Sequence, residues 1–253
     1  MAANHSKATV SPQLLGDLVS ANHILYDQGV LDAFGHVSAR HDKDPERFLL
    51  ARNMAPGLVT ADDIIEYDLD ATPLTAAGRG TYLERFIHGE IYRARPDVMA
   101  VVHSHSPSVV PFSTVKASPL RAVFHMAGFL GIATPIYEIR DFAGDDSDLL
   151  ISDNRLGVTL AQMLGDKPVI LMRGHGSTAV GSSLITAVYR AVFTEINARI
   201  QADALRLGPV NFLTEGEGKS TMEKNDGQKK RAWDLWKAAA EIRCAELAKA
   251  FKG

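Results

Sequence analysis

Cysteine is almost missing from this chain. Its 253 residues contain one, Cys244, so no disulfide can close within the chain and a thiolate metal site is excluded. Any bound metal must take its ligands from histidine, aspartate or glutamate. No apolar run is long enough to span a bilayer, and the opening segment MAANHSKATVSP lacks the apolar core of a signal peptide. Charge of one sign is also lacking. The 27 Lys and Arg against 30 Asp and Glu leave a net charge of −3, which speaks against nucleic acid or an anionic membrane surface as partner. With 46% hydrophobic residues, the chain reads as a globular cytoplasmic protein of one large domain or two small ones.

What is present is an alternation of strand and helix signals. Ser11 is placed to cap a helix over 12–29 with an apolar stripe of Leu14, Leu15, Leu18, Ala21 and Ile24. Strands are expected over 35–40, 48–51 and 64–68, followed by a Thr/Ala/Gly-rich connection over 72–80 and a helix over 81–94. The apolar run Val98–Val102 reads as a buried strand, and Ser106-Pro107 as the opening of a short helix. Residues 133–138 suggest a strand, and Gly144–Asp148 an acidic loop. The segment 154–164 suggests a helix capped by Asp153 and closed by Gly165. Val169–Met172 is a second fully apolar strand, and 185–207 a long helix. Polar residues 208–228 read as a long loop or lid, and 229–251 as a last helix. The expected fold is α/β, a three-layer α/β/α single domain with a mixed central sheet. Residues 1–207 form its body; 208–253 either belong to the same domain or cover a neighbouring subunit.

The chemistry concentrates at the ends of the two apolar strands. Val98–Val102 runs into His103-Ser-His105, and on a strand residues two apart point to one face. On a helix they would diverge by roughly 200°. Val169–Met172 runs into Arg173-Gly-His175-Gly, where glycines on both sides let the backbone turn and present the imidazole. Three imidazoles at strand ends, with a coordination position to spare, have the composition of a catalytic metal site. Taken singly, each is equally readable as a hydrogen-bonded histidine of core or surface. Glu84 falls in the first turn of the helix leading into the His103 strand. It is either an acid favoured there by the helix dipole or a carboxylate leaning into the site to move protons.

Gly35-His-Val-Ser-Ala-Arg40, Glu84, Arg95-Pro-Asp97, Val101-Val-His-Ser-His105 and Arg173-Gly-His-Gly176 together resemble the class II aldolase/adducin family. The resemblance covers roughly residues 12–205, including a glutamate nineteen residues ahead of the first histidine. It implies the class II aldolase fold for residues 1–207. It also implies that His103, His105 and His175 are metal ligands, that Glu84 is the catalytic carboxylate, and that the protein is a homotetramer with active sites between subunits. The position of a tyrosine that the aldolases use as proton donor falls near His125. That residue is therefore either a second proton donor or a polar group at an interface.

Departures from the sugar-phosphate members are equally informative. A phosphate-binding Asn is replaced by His36, a Ser-Ser pair by Tyr82-Leu83, and a Thr-Gly pair by Arg52-Asn53-Met54. A phosphate dianion needs several small donors converging on it, and these positions no longer supply them. Arg52, if not a plain surface arginine, offers a planar fork for a carboxylate. His36, Arg52, Asn53 and Tyr82 are thus the expected substrate-binding residues. The chain most resembles the branch of the family that decarboxylates hydroxylated aromatic dicarboxylates, such as 3-hydroxy-2-methylpyridine-4,5-dicarboxylate and 3,4-dihydroxyphthalate. The implied cofactor is a divalent ion, Mn, Zn, Fe or Co. The alternatives are a metal-dependent aldolase acting on a non-phosphorylated 2-oxo or hydroxy acid, and a non-enzymatic adducin-like interaction module.

Overall fold

The computed structural model describes residues 9–252. The first eight residues, on which part of the signal-peptide expectation rests, lie outside them. Seven strands form one sheet: β1 His36–Arg40, β2 Arg47–Ala51, β3 Ile64–Asp68, β4 Ala100–Ser104, β5 Ile136–Tyr137, β6 Val169–Met172 and β7 Gly176–Gly181. Their spatial order is β3-β2-β1-β4-β7-β6-β5. Every neighbouring pair is antiparallel except β5–β6, so the sheet is mixed. Helices α1 Pro12–Asp27 and α6 Leu184–Leu207 pack on each other and on β1, β4 and β7. Helices α2 Arg85–Ala94 and α5 Asn154–Leu164 pack on each other, with β4, β5 and β6 beneath them. With helices over it, β4 is buried at all five positions, which is why it reads as a continuous apolar run rather than an alternating one.

Local chemistry sets most boundaries. Ser11 Oγ accepts from the Leu14 N–H at 3.2 Å, and Asp153 Oδ1 from the Leu156 N–H at 2.8 Å, the two caps expected. Helix α2 starts at Arg85, so Glu84 stands at its N-cap rather than in its first turn and makes no cap bond. The short helix α3 is Val110–Thr114, later than Ser106-Pro107, and β5 has only two residues. A one-turn helix α4, Arg140–Ala143, precedes the acidic loop.

Two elements depart from the expectation more strongly. Strand β7, of small residues, carries no apolar run, yet it pairs with β4 and β6 and is buried throughout. The segment expected as a loop or lid contains helix α7, Glu215–Asp226, opened by a capping box in which Thr214 and Glu217 bond each other's backbone. It packs on the 3-10 turns of His125–Leu130, where a Cβ on Gly128 would press on the Gly218 carbonyl. Helix α8, Lys229–Lys252, lies over α1 and α6 and buries Trp233, Ala240 and Cys244, while Phe251 stays exposed. No helix is long and apolar enough to cross a membrane among the described residues.

Candidate metal centre and active site

The antiparallel register of β4 with β7 brings the two histidine motifs together at one end of these central strands. Ser104 pairs with Ser177, so His105, just past β4, and His175, just before β7, leave the sheet side by side. The β6–β7 connection is a tight turn. The His175 N–H donates to the Met172 carbonyl at 3.0 Å, and Gly174 takes φ +66°, a left-handed value suited to glycine. Gly176 has a second reason to lack a side chain, since a Cβ there would overlap the Ser104 carbonyl oxygen.

Three imidazoles and one carboxylate converge at these strand ends. His105 Nε2 lies 2.9 Å from His175 Nε2 and 3.1 Å from His103 Nε2. Glu84 Oε2 is 3.3 Å from both His103 Nε2 and His175 Nε2, and 4.0 Å from His105 Nε2. One ligand atom from each of the four residues falls within 4.8 Å of the others. His175 Nδ1 is 2.8 Å from the Leu149 carbonyl. That nitrogen must carry the proton, and the Nε2 lone pair therefore faces inward. Imidazole nitrogens on one ion at about 2.1 Å would stand roughly 3.0–3.4 Å apart, close to the observed spacing. The donor set fits a divalent cation. Lone pairs and a carboxylate crowded into a buried spot repel unless positive charge lies among them.

The segment before α5 supports this cluster with its backbone. Leu149 takes φ +68°, an uncommon conformation for a residue with a side chain, and its carbonyl fixes His175. The Ile151 N–H donates to Glu84 Oε1 at 3.0 Å, which leaves Oε2 toward the histidines. Burial pushes the Glu84 carboxyl up, but the imidazoles of His103 and His175 outweigh it and hold it well below the usual carboxylate range. Burial, then His103 and His175, lowers His105 to about 4. A neutral imidazole is the form that binds metal. Above the cluster opens a cavity of about 250 Å³ lined by His105, Asp148, Leu149, Leu150, Gly174 and His175. A larger one, about 420 Å³, lies at the opposite end of the strands, with Arg95, Asp97, Lys167 and Arg190 but no histidine. The smaller cavity is the one next to usable chemistry.

The remaining expected residues scatter. His36 is buried against the cluster, its ring 5.0 Å from that of His103 and 4.6 Å from that of Tyr82. Tyr82 donates its hydroxyl to the Met54 carbonyl at 2.6 Å. Arg52 Nε donates to Asp63 Oδ1 at 2.6 Å, and Asn53 is exposed with its N–H on the Gly80 carbonyl. His125 is exposed, its carbonyl accepting from the Asn225 side chain, and it shares no described contact with the cluster. Sequence reasoning missed His88, fully buried, whose Nε2 lies 2.7 Å from His36 Nδ1. The available signal was its spacing: four residues after Glu84, it falls on the same face of α2.

The Class II Aldolase and Adducin N-terminal domain family matches residues 16–202. The chain is 40% identical over 241 residues to the decarboxylase tropJ of Talaromyces stipitatus, covering 86% of this chain and 90% of that protein. It is 30% identical over 202 residues to a 3,4-dihydroxyphthalate decarboxylase of Arthrobacter keyseri, covering 74% and 77% respectively. Among solved structures, L-fuculose 1-phosphate aldolase from Glaciozyma antarctica superposes with a TM-score of 0.76 at 22% identity, covering 95% of this chain and 96% of that one. This last likeness bears on the fold alone.

Proposed function

The chain belongs to the class II aldolase and adducin N-terminal domain family, and on that footing we propose that it is a metal-dependent decarboxylase of a hydroxylated aromatic or heteroaromatic dicarboxylate. The observation that carries this reading is the convergence of Glu84, His103, His105 and His175 in a chain similar to two proteins named as decarboxylases. His103, His105 and His175 would hold the ion through Nε2. A divalent ion there supplies Lewis acidity and a template for a ring hydroxyl and its neighbouring carboxylate.

The chain's own groups then have these tasks. Glu84, held ionised, takes the ring hydroxyl's proton on Oε2 while Ile151 keeps Oε1 in place. When the bond from ring carbon to carboxylate breaks, CO₂ leaves and the electron pair stays on the ring carbon. Glu84 Oε2 returns its proton to that carbon, and the ring oxygen regains one on product release. His125 of a neighbouring subunit is the second source of a proton. His36 and the free terminal nitrogens of Arg52 hold the other carboxylate, with Tyr82 and Asn53 shaping that wall. Residues 1–207 form the catalytic unit, and 208–253 pack on it or reach a neighbour. A cytoplasmic homotetramer with intersubunit sites suits the exposure of His125 and the shallow cavity.

The test is one preparation, remetallated in turn with Mn²⁺, Zn²⁺, Fe²⁺ and Co²⁺, given hydroxylated aromatic dicarboxylates and assayed for CO₂. Metal-dependent CO₂ release is expected. Release of pyruvate or an aldehyde from 2-oxo or hydroxy acids, without CO₂, would replace decarboxylation with aldol cleavage. A protein that takes up none of these metals would sink both enzymatic readings.

A further inference from the structure

Behind the metal cluster runs a line of buried polar groups of which the reaction above uses only the last, His36. Tyr92 OH lies 2.8 Å from Ser38 Oγ, Ser38 Oγ 2.6 Å from His88 Nδ1, and His88 Nε2 2.7 Å from His36 Nδ1. All four residues are buried: Ser38 and His88 at 0% exposure, Tyr92 at 1% and His36 at 4%. They come from strand β1 and helix α2, so the line crosses from one layer to the next. Phe48 stacks on the His88 ring at 6.2 Å and 17°, which fixes the plane of the imidazole.

Only one direction of donation gives the protons of Tyr92, Ser38 and His88 each an acceptor. Ser38 Oγ is the one described acceptor for the Tyr92 hydroxyl proton. Buried donors left without acceptors are costly, so Tyr92 donates to Ser38. Ser38 then gives its own proton to His88 Nδ1. His88, neutral, carries its proton on Nε2 and donates it to His36 Nδ1. His36 is left with its proton on Nε2, an atom with no described protein partner. The reverse direction would strand the phenol proton of Tyr92 in the core.

We propose that Tyr92, Ser38 and His88 form a one-way hydrogen-bond relay that fixes His36 as the Nε2-protonated tautomer, so that the wall beside the metal cluster presents a neutral N–H donor to a carboxylate of the substrate. His36 is then a specificity-determining residue. His88 is a positioning residue, acting through His36 and touching neither substrate nor ion. The substrate half of this assignment rests on the decarboxylase reading; the tautomer half does not. A lone pair on Nε2 would repel a carboxylate, whereas a neutral N–H binds it and leaves the charge of the site to the ion and Glu84.

The experiment is long-range ¹H–¹⁵N correlation on histidine-labelled, Zn-loaded protein, with His36→Asn identifying the resonance. The wild type should show His36 protonated on Nε2 alone. His88→Gln keeps a side-chain donor for His36 Nδ1 and an acceptor for Ser38, so it should preserve the pattern. His88→Leu and Ser38→Ala should each give a mixture of tautomers. With a dicarboxylate that turns over, His88→Leu should raise KM about ten- to a hundredfold. Its kcat should stay within about threefold, the signature of uniform binding, and His88→Gln should restore KM. A wild-type His36 protonated on Nδ1, or on both nitrogens at neutral pH, overturns the relay, and that spectrum decides even where a variant fails to fold. An unchanged KM in a folded His88→Leu overturns the specificity role. If no dicarboxylate is decarboxylated, the function above fails while the spectrum still decides the relay, with phthalate affinity read in place of KM.

Discussion

Ile151 holds Glu84 by one oxygen. Its N–H donates to Oε1 at 3.0 Å, while Oε2 stands 3.3 Å from both His103 and His175. The two oxygens therefore stand in separate surroundings, one anchored to the backbone and one turned to the histidines. A glutamine can keep the anchor, because its carbonyl oxygen accepts from Ile151 as the carboxylate does. It cannot carry a proton.

Glu84→Gln is therefore expected to fold and to retain its metal while losing about 10²–10⁴-fold in kcat. Metal content and steady-state turnover on the same preparation check this. Full activity in the variant would remove Glu84 from the chemistry.

Metal removal should register in stability as well as in turnover. An ion bound by the folded chain alone, present at about a thousand times its Kd, adds roughly 4 kcal/mol. For a chain of this length that corresponds to a melting point roughly 8–16 °C higher. Chelation should lower Tm by that order, and His105→Ala, which removes the most exposed of the three imidazoles, should make Tm insensitive to the chelator. Equal melting curves with and without metal would mean that the cluster does not bind an ion tightly.

A third expectation concerns acid. Arg140, and with it Arg173, draws the Glu138 carboxyl down to about 2 from an ordinary 4.5, and Glu138 Oε1 lies 2.8 Å from Arg173 Nε at the start of the His175 turn. Because the folded pKa lies below the unfolded one, the contribution is complete above about 4.5. It is lost as pH falls from there toward 2. Glu138→Gln should therefore narrow the stability difference between pH 6 and pH 3 in urea titrations. A variant whose stability falls with acid as steeply as the wild type would show that Glu138 is not the group responsible.

These sites were unequally visible in the sequence. Apolar strands ending in histidines announced β4 and β6, because a run of Val and Ile followed by HxH or GHG has few other uses. Strand β7 was silent: its glycines and small residues are chosen for the close approach at Ser104, and no periodicity reports that. Helix α7 hid behind Gly216 and Gly218, although Thr214 and Glu217 already spelled its cap. The relay from Tyr92 to His36 links residues more than fifty positions apart and depends on how α2 lies on β1. The spacing of Glu84 and His88 was its only local trace. The Leu149 carbonyl on His175 left none, since any residue has a carbonyl.

Leu149 nevertheless gives a sharp test of how the backbone serves the site. Its φ of +68° lies in the region where a Cβ crowds the following carbonyl, at roughly 1–2 kcal/mol per residue. Truncation to alanine removes the packing of the leucine side chain and keeps the backbone strain. Truncation to glycine removes both. Elsewhere glycine costs about 0.5–1 kcal/mol relative to alanine through the freedom it gives the unfolded chain. Here the strain relieved exceeds that cost, so Leu149→Gly should be at least as stable as Leu149→Ala, by up to about 1 kcal/mol, in chemical denaturation of the metal-free protein. The glycine variant should bind metal more weakly, because a freer backbone no longer holds its carbonyl on His175 Nδ1, and ligand supports of this kind are worth about 10–100-fold in affinity. The two readouts then move in opposite directions, stability favouring glycine and metal affinity favouring alanine. If alanine proves superior in both, the left-handed turn is not strained and the carbonyl is held by something other than its own conformation.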